Sequence, residues 1–195
     1  MARKSRAEAT ETRLRIMAAA QVLFAKRGFA GTSTALIAKQ AGVTEGALFN
    51  HFKDKKALFG EIVGELQRSY DRSVRIAAMG AGGGTALEAM RRGFAASLRF
   101  ARDQAYARIV LAEGRTVLGE TEWGRIDSGM GHTSIEYGLR AIVTENGKKG
   151  AEYSRIATLI LGMLNETIFA LQRKELSDPA ASLKLIEQAM LGWLD

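Results

Sequence analysis

The sequence predicts an all-α protein, with a small N-terminal helix-turn-helix unit followed by a larger helical body. Three observations carry this. Apolar residues recur at helical spacing along most of the chain, and no stretch shows the period-two alternation of a half-buried strand. There is one proline, and Ala, Leu, Arg and Glu are abundant, which favours helix throughout. Two short helical patterns also lie back to back around a glycine, the arrangement of a helix-turn-helix.

Residues 1–9 (MARKSRAEA) are small and polar with three basic positions, and read as a flexible arm. From Thr12 the pattern turns helical: Ile16, Ala20, Leu23 and Phe24 share a face, with Thr10 or Thr12 as the cap. Arg27 and then Gly28 supply a basic last turn and a left-handed stop. In GTSTALIAKQAG (31–42), Thr32 or Ser33 caps a helix that turns Leu36, Ile37 and Ala41 inward and ends at Gly42. Thr44 caps the next helix, 45–52, whose apolar face is Leu48, Phe49 and Phe52. Asp54 caps a longer helix, 54–79, striped by Leu58, Ile62 and Leu66. The helices 33–41 and 45–52 cannot stand alone, because isolated helices below about 12 residues are marginal in water. The first and fourth helices must clamp them.

The rest of the chain is also helical. GAGGG (80–84) separates the fourth helix from one striped by Leu87, Met90, Phe94, Leu98 and Ala101. Tyr106, Ile109 and Val110 begin another that runs towards Val117, and the glycine-rich residues 118–134 read as loop plus helix. Ile135, Leu139, Ile142 and Val143 mark a helix that stops at ENGKKG (145–150). Ile156, Ile160, Leu164 and Ile168 belong to a strongly apolar helix. Ser177-Asp178-Pro179 then opens a last one with Ile186, Met190, Trp193 and Leu194.

Charge is unevenly placed. Residues 1–56 hold 11 Lys/Arg against 4 Asp/Glu, whereas residues 57–195 hold 17 of each. An excess confined to one end suits a polyanion-binding module on a neutral body, and equally a solvated basic surface. There is no cysteine, and only His51 and His132 could offer imidazole, so no disulfide, metal centre or cofactor is expected. No uninterrupted apolar run approaches the roughly 18 residues of a membrane span and no signal peptide opens the chain, so the expectation is a cytoplasmic protein without a membrane partner. GAGGGT invites a nucleotide-loop reading but lacks the lysine and the preceding strand. Glu113 and His132 would be the acid–base pair of an enzyme, yet nothing in the sequence brings them together, and no catalytic residue is expected.

The first 60 residues resemble the DNA-binding domain of the TetR/AcrR family of transcriptional repressors. The likeness rests on Arg13, Ile16, Ala19-Ala20, Leu23-Phe24, Gly28-Phe29, Thr32-Ser33, Ile37-Ala38, Ala41-Gly42-Val43-Thr44, Gly46, Ala47-Leu48-Phe49, His51-Phe52 and the segment from Lys55 to Leu58. It runs without gaps across four helices. Beyond it the likeness lies in length and helix layout, with RIVLAEGR (108–115) as a local match. The resemblance implies a helix-turn-helix DNA-binding domain over 10–56 and a ligand-binding and dimerisation domain over 57–195. It implies a non-enzymatic repressor that binds double-stranded operator DNA as a homodimer and is released by a ligand. A helical DNA binder without an effector, or a small helical enzyme, would be the alternatives.

Phosphates are held by hydroxyls, cations and helix N-termini, so Thr32, Ser33, Thr44, Lys55 and His51 are candidates to grip the DNA backbone. Capping alone would account equally well for Thr32 and Thr44. Base reading falls to the exposed face of 45–51, namely Glu45, Gly46, Ala47 and Asn50. In the family the Glu45 position is often basic and the Phe49 position usually tyrosine. Phe49 would then keep the packing role and lose a phosphate bond. Glu45 either favours the helix dipole, accepts from cytosine N4, or repels phosphate. Arg3, Lys4 and Arg6 either enter the minor groove or form a solvated tail.

In the resemblance, helices 153–173 and 179–194 pair with their counterparts in a second subunit. The middle helices would enclose a small apolar or amphipathic effector, with Phe94, Leu98, Tyr106, Glu113, Trp123, Met130, Leu139, Met163 and Asn165 as candidates. A shift of helix 54–79 would couple the two sites.

Overall fold

The computed structural model describes residues 2–80, 83–126, 129–146 and 152–194. Parts of GAGGG (81–82) and of ENGKKG (147–150) lie outside the described residues, as do the side chains of Arg3, Lys4 and Met130. Among the described residues every regular element is helical: α1 (Ala2–Arg27), α2 (Thr34–Ala41), α3 (Glu45–Phe49), α4 (Lys55–Met79), α5 (Ala86–Arg99), α6 (Arg115–Leu118), α7 (Glu120–Ile126), α8 (Met130–Glu145), α9 (Tyr153–Gln172) and α10 (Pro179–Leu194). A 3₁₀ turn, Phe100–Arg102, follows α5, and Tyr106–Gly114 is wound as a π-helix that runs into α6.

The chain forms two compact units: Met1–Gln67 with Gln104–Ile126, and Arg68–Asp103 with Asp127–Asp195. The division falls within α4, and the segment 104–126 packs with residues 1–67. The segment expected as a flexible arm is, from Ala2 onward, the opening of α1.

In the first unit the caps are local and follow from residue type. Ser33 is extended (φ −95°, ψ 156°) and its Oγ accepts from the Leu36 amide. Thr44 Oγ1 accepts from the Ala47 amide at 3.1 Å, and Asp54 Oδ1 accepts from the Ala57 amide at 2.7 Å. Gly28 (φ +73°) and Gly42 (φ +67°) stop α1 and α2 in the left-handed region, which carries no steric penalty only for glycine. The short helices are held by burial. Ile37, Leu48 and Phe52 join Ile16, Phe24, Leu58 and Phe59 in a core where each is at most 2% exposed. Burying a side chain of this size contributes about 1.5–3 kcal/mol. Phe24, Phe29 and Phe59 form an aromatic triad with ring centroids 5.2–5.9 Å apart. Phe49 is absent from this core. It is 48% exposed, which corrects the packing role expected for it. α3 is also shorter than expected, ending at Phe49 with Asn50 as its C-cap.

The segment 118–134 resolves into α7 and the start of α8 around Gly119 (φ +78°) and Gly129 (φ +62°). α7 packs through Trp123 onto Gly114, where an added Cβ would lie 2.4 Å from the indole.

In the second unit α5 and α8 pack on α9, and α10 packs on α5 and α9. Thr85 and Glu88 form a reciprocal capping box at the start of α5. Phe94, Leu98, Leu139, Ile160, Leu164, Ile168 and Met190 make the core. α9 is long and apolar enough to cross a membrane by length and composition. Counting uninterrupted apolar runs passes over it, because Arg155 and Glu166 break the run. Its Ile156, Ile160, Leu164 and Ile168 face is buried against its neighbours, as in a core helix.

Candidate nucleic-acid interface and ligand cavity

The α2–α3 turn presents a polar face. Ser33, Thr44, Glu45, Gly46 and Asn50 are exposed, and Ala47 and His51 are partly so. The capping hydroxyls of Ser33 and Thr44 stand at the starts of α2 and α3, where free N–H groups and helix dipoles also favour an anion. Glu45 is engaged inside the motif: its Oε1 accepts from Thr34 Oγ1 at 2.7 Å. The acid thus ties the first turn of α3 to the first turn of α2, a link that the three readings from sequence did not include.

Two expected phosphate ligands point elsewhere. Thr32 is 1% exposed, and its hydroxyl donates to the Gly28 carbonyl at 2.8 Å. It is an internal brace of the α1–α2 turn, because a hydroxyl that close to a helix end is captured by the free carbonyls there. Lys55 turns inward. Its Nζ donates to the Phe29 and Thr32 carbonyls, both at 2.9 Å, and lies 4.2 Å from the centre of the Phe29 ring. Lys53 and Lys56 are the exposed cations beside it. Sequence reasoning passed over them, although KDKK (53–56) places three cations within four residues.

In the second unit a cavity of about 570 Å³ lies among α4, α5, α8 and α9, within the size range of small-molecule pockets. Its wall is mainly apolar, with Val74, Met90, Phe94, Ile135 and Leu164, and Asp71, Arg75 and Ser97 add a few polar groups. Tyr70 also lines it. Burial raises the Tyr70 phenol above the ordinary tyrosine range, the hydrogen bond with Ser97 lowers it, and Asp71 raises it.

Of the nine residues expected around a ligand, Phe94 lines this cavity. Leu98 and Leu139 are buried core and do not line it, and neither do Met163 and Asn165. Tyr106, Glu113 and Trp123 belong to the first unit. The stripe of an isolated helix shows which residues turn inward but not which neighbour they meet. The two groups of an enzyme reading are each engaged within their own unit. Glu113 accepts from the Phe29 amide at 2.7 Å, and His132 Nε2 lies 2.9 Å from the Ser154 carbonyl. Among the described residues no cluster of metal-ligating side chains occurs.

A short helix pair clamped by longer helices, in a chain with a ligand-sized cavity, defines a helix-turn-helix regulator. Comparison with known proteins agrees. Residues 16–62 match the family of bacterial regulatory proteins called tetR, and residues 87–195 match the tetracyclin repressor-like C-terminal domain. The chain belongs to the TetR family of transcriptional regulators. It is 49% identical over 77 residues to the HTH-type transcriptional regulator AcrR of Shigella flexneri, a match covering 36% of this chain and 36% of that protein. The match thus spans about a third of the length of such curated relatives. A TetR-family regulator from Pectobacterium atrosepticum shares 30% identity over 95% of this chain and 93% of its own, with a TM-score of 0.68. FadR of Bacillus subtilis, solved with stearoyl-CoA, shares the fold at 18% identity, with a TM-score of 0.72 over 91% of this chain and 96% of its own.

Proposed function

We propose that this chain is a repressor that binds operator DNA as a homodimer and leaves it when a ligand fills the cavity of the second unit. The observation that carries the DNA reading is the exposed α2–α3 face, with capping hydroxyls Ser33 and Thr44 and the flanking cations Lys53 and Lys56. Glu45, Gly46, Ala47 and Asn50 are its base-facing candidates, with His51 at the far end. Gly46 allows close backbone approach, and Asn50 can pair with adenine.

The homodimer reading rests on α9 and α10, which leave Leu159 51% and Leu185 67% exposed, with Trp193 at 42%. Helix-turn-helix dimers read half-sites about one DNA turn apart. The cavity suits an apolar or amphipathic effector, and stearoyl-CoA on FadR makes long-chain acyl-CoA the first probe. α4 runs from the helix-turn-helix unit to the cavity wall as one helix, so a ligand that displaces its second half has a covalent route to its first.

The test is selection of DNA from random sequence, followed by anisotropy titrations over a salt series. A palindromic consensus and a steep salt dependence are expected. Failure to enrich any sequence refutes the DNA reading. Saturating effector should weaken binding by about 5- to 150-fold, the usual range of such coupling. A panel of acyl-CoAs, fatty acids and neutral amphiphiles that leaves affinity unchanged at saturation refutes the effector reading. Sedimentation of Leu159→Glu and Leu185→Glu tests the dimer: wild-type mass for both variants counts against it.

A further inference from the structure

The end of α1 is held by a pair of side chains from far along the chain. Arg108 Nη1 donates to the Lys26 carbonyl at 3.2 Å, and the Phe29 amide donates to Glu113 Oε2 at 2.7 Å. Arg108 Nε in turn donates to Glu113 Oε1 at 3.3 Å. The ion pair therefore lies flat across a helix terminus, satisfying one of its free carbonyls and the first amide beyond Gly28. Gly28 makes room for it: an added Cβ would lie 2.5 Å from Glu113 Oε1 and 2.9 Å from Arg108 Nη2. Lys55 holds the same turn through the Phe29 and Thr32 carbonyls. The next residue, Ser33, is the N-cap of α2.

Arg108 and Glu113 are five positions apart. In an α-helix that spacing puts two side chains about 140° apart, since each residue turns about 100°. In a π-helix, with its i→i+5 bonds and about 4.4 residues per turn, the same spacing returns to within about 50°. The pair lies inside the π-wound Tyr106–Gly114, and the wider winding is what brings both groups to one face.

We propose that Arg108 and Glu113 are positioning residues for DNA binding, set by the π winding to lock the α1–α2 turn and so aim the N-terminus of α2 at the phosphate backbone. This rests on the DNA reading above, but its failure looks different. Neither residue touches DNA, so their loss lowers affinity without changing the number of phosphates contacted.

The experiment uses the full chain and a DNA fragment recovered from random sequence by the wild type. Glu113→Ala should lose about tenfold or more in affinity, the size expected for a charge-assisted bond. The slope of log affinity against log salt should stay at the wild-type value. Phe29 amide exchange should accelerate, whereas Glu113→Gln, which keeps an acceptor oxygen, should restore most of the affinity and the protection. Arg108→Ala, at an exposed position, should weaken binding in the same slope-neutral way. Wild-type affinity in Glu113→Ala despite accelerated Phe29 exchange overturns the proposal, as does a salt slope that falls. If Glu113→Ala does not fold, Glu113→Gln and Arg108→Ala decide: wild-type affinity in Arg108→Ala overturns it. Failure of the wild type to recover any fragment would instead sink the DNA reading.

Discussion

Lys55→Ala separates two accounts of one lysine. If Lys55 gripped phosphate, the substitution would lower the salt slope by about 0.9, one phosphate contact, and leave stability alone. In the structure its ammonium holds two backbone carbonyls at 2.9 Å and stands over the Phe29 ring. Hydrogen bonds to a charged group are worth about 1.5–3 kcal/mol each, and the cation–π contact about 0.5–1 kcal/mol where solvent reaches it. Lys55 is partly exposed and part of this is recovered by water, which leaves a loss of about 2–4 kcal/mol. For a chain of this length that lowers the melting midpoint by roughly 4–16 °C. The assay pairs thermal unfolding followed by circular dichroism with DNA titrations over a salt series. Lys53→Ala and Lys56→Ala are the controls, and each should lower the slope without moving the midpoint. An unchanged midpoint together with a reduced slope for Lys55→Ala would refute the inward role.

Three further outcomes follow from local geometry. Thr34→Val and Glu45→Ala should be non-additive in chemical denaturation, with a coupling of about 0.5–1.5 kcal/mol for the hydroxyl–carboxylate bond; strict additivity would show that the link carries no energy. Gly114→Ala pushes a Cβ to 2.4 Å from the Trp123 ring and 3.1 Å from the Ile109 carbonyl, and should cost about 1–3 kcal/mol with altered tryptophan fluorescence. A variant of wild-type stability and spectrum would mean that Trp123 packs elsewhere. Tyr70 titrates above its ordinary value because it is buried. Its raised value means that its stabilisation is complete below about pH 10, the unfolded value, and disappears as pH rises through the folded one. Tyr70→Phe should flatten that alkaline loss of melting midpoint, and an unchanged alkaline profile would count against the assignment.

Five helix ends were readable because each depends on residues within about four positions, whereas the start of α1, expected at Thr10 or Thr12, lies at Ala2. Ser33, Thr44 and Asp54 cap, and Gly28 and Gly42 stop, by chemistry that side chain and nearby backbone settle between them. The apolar stripes of the long helices were readable for the same reason. Phe49 was misread because a helix of five residues has too few turns to define a face, and the aromatic that looked inward is left half in solvent.

What the chain by itself determined is therefore an all-helical protein with a helix-turn-helix near its start, since periodicity and capping are properties of neighbours in sequence. Only the tertiary structure decided where the long side chains go. Lys55 turns from phosphate to two carbonyls 23 and 26 positions away. Glu113 leaves the expected pocket for an amide 84 positions away. The cavity draws its wall from four helices whose separate stripes hold no record of one another. A flexible charged side chain finds the nearest uncompensated polar group, and which group is nearest exists only once the backbone has folded.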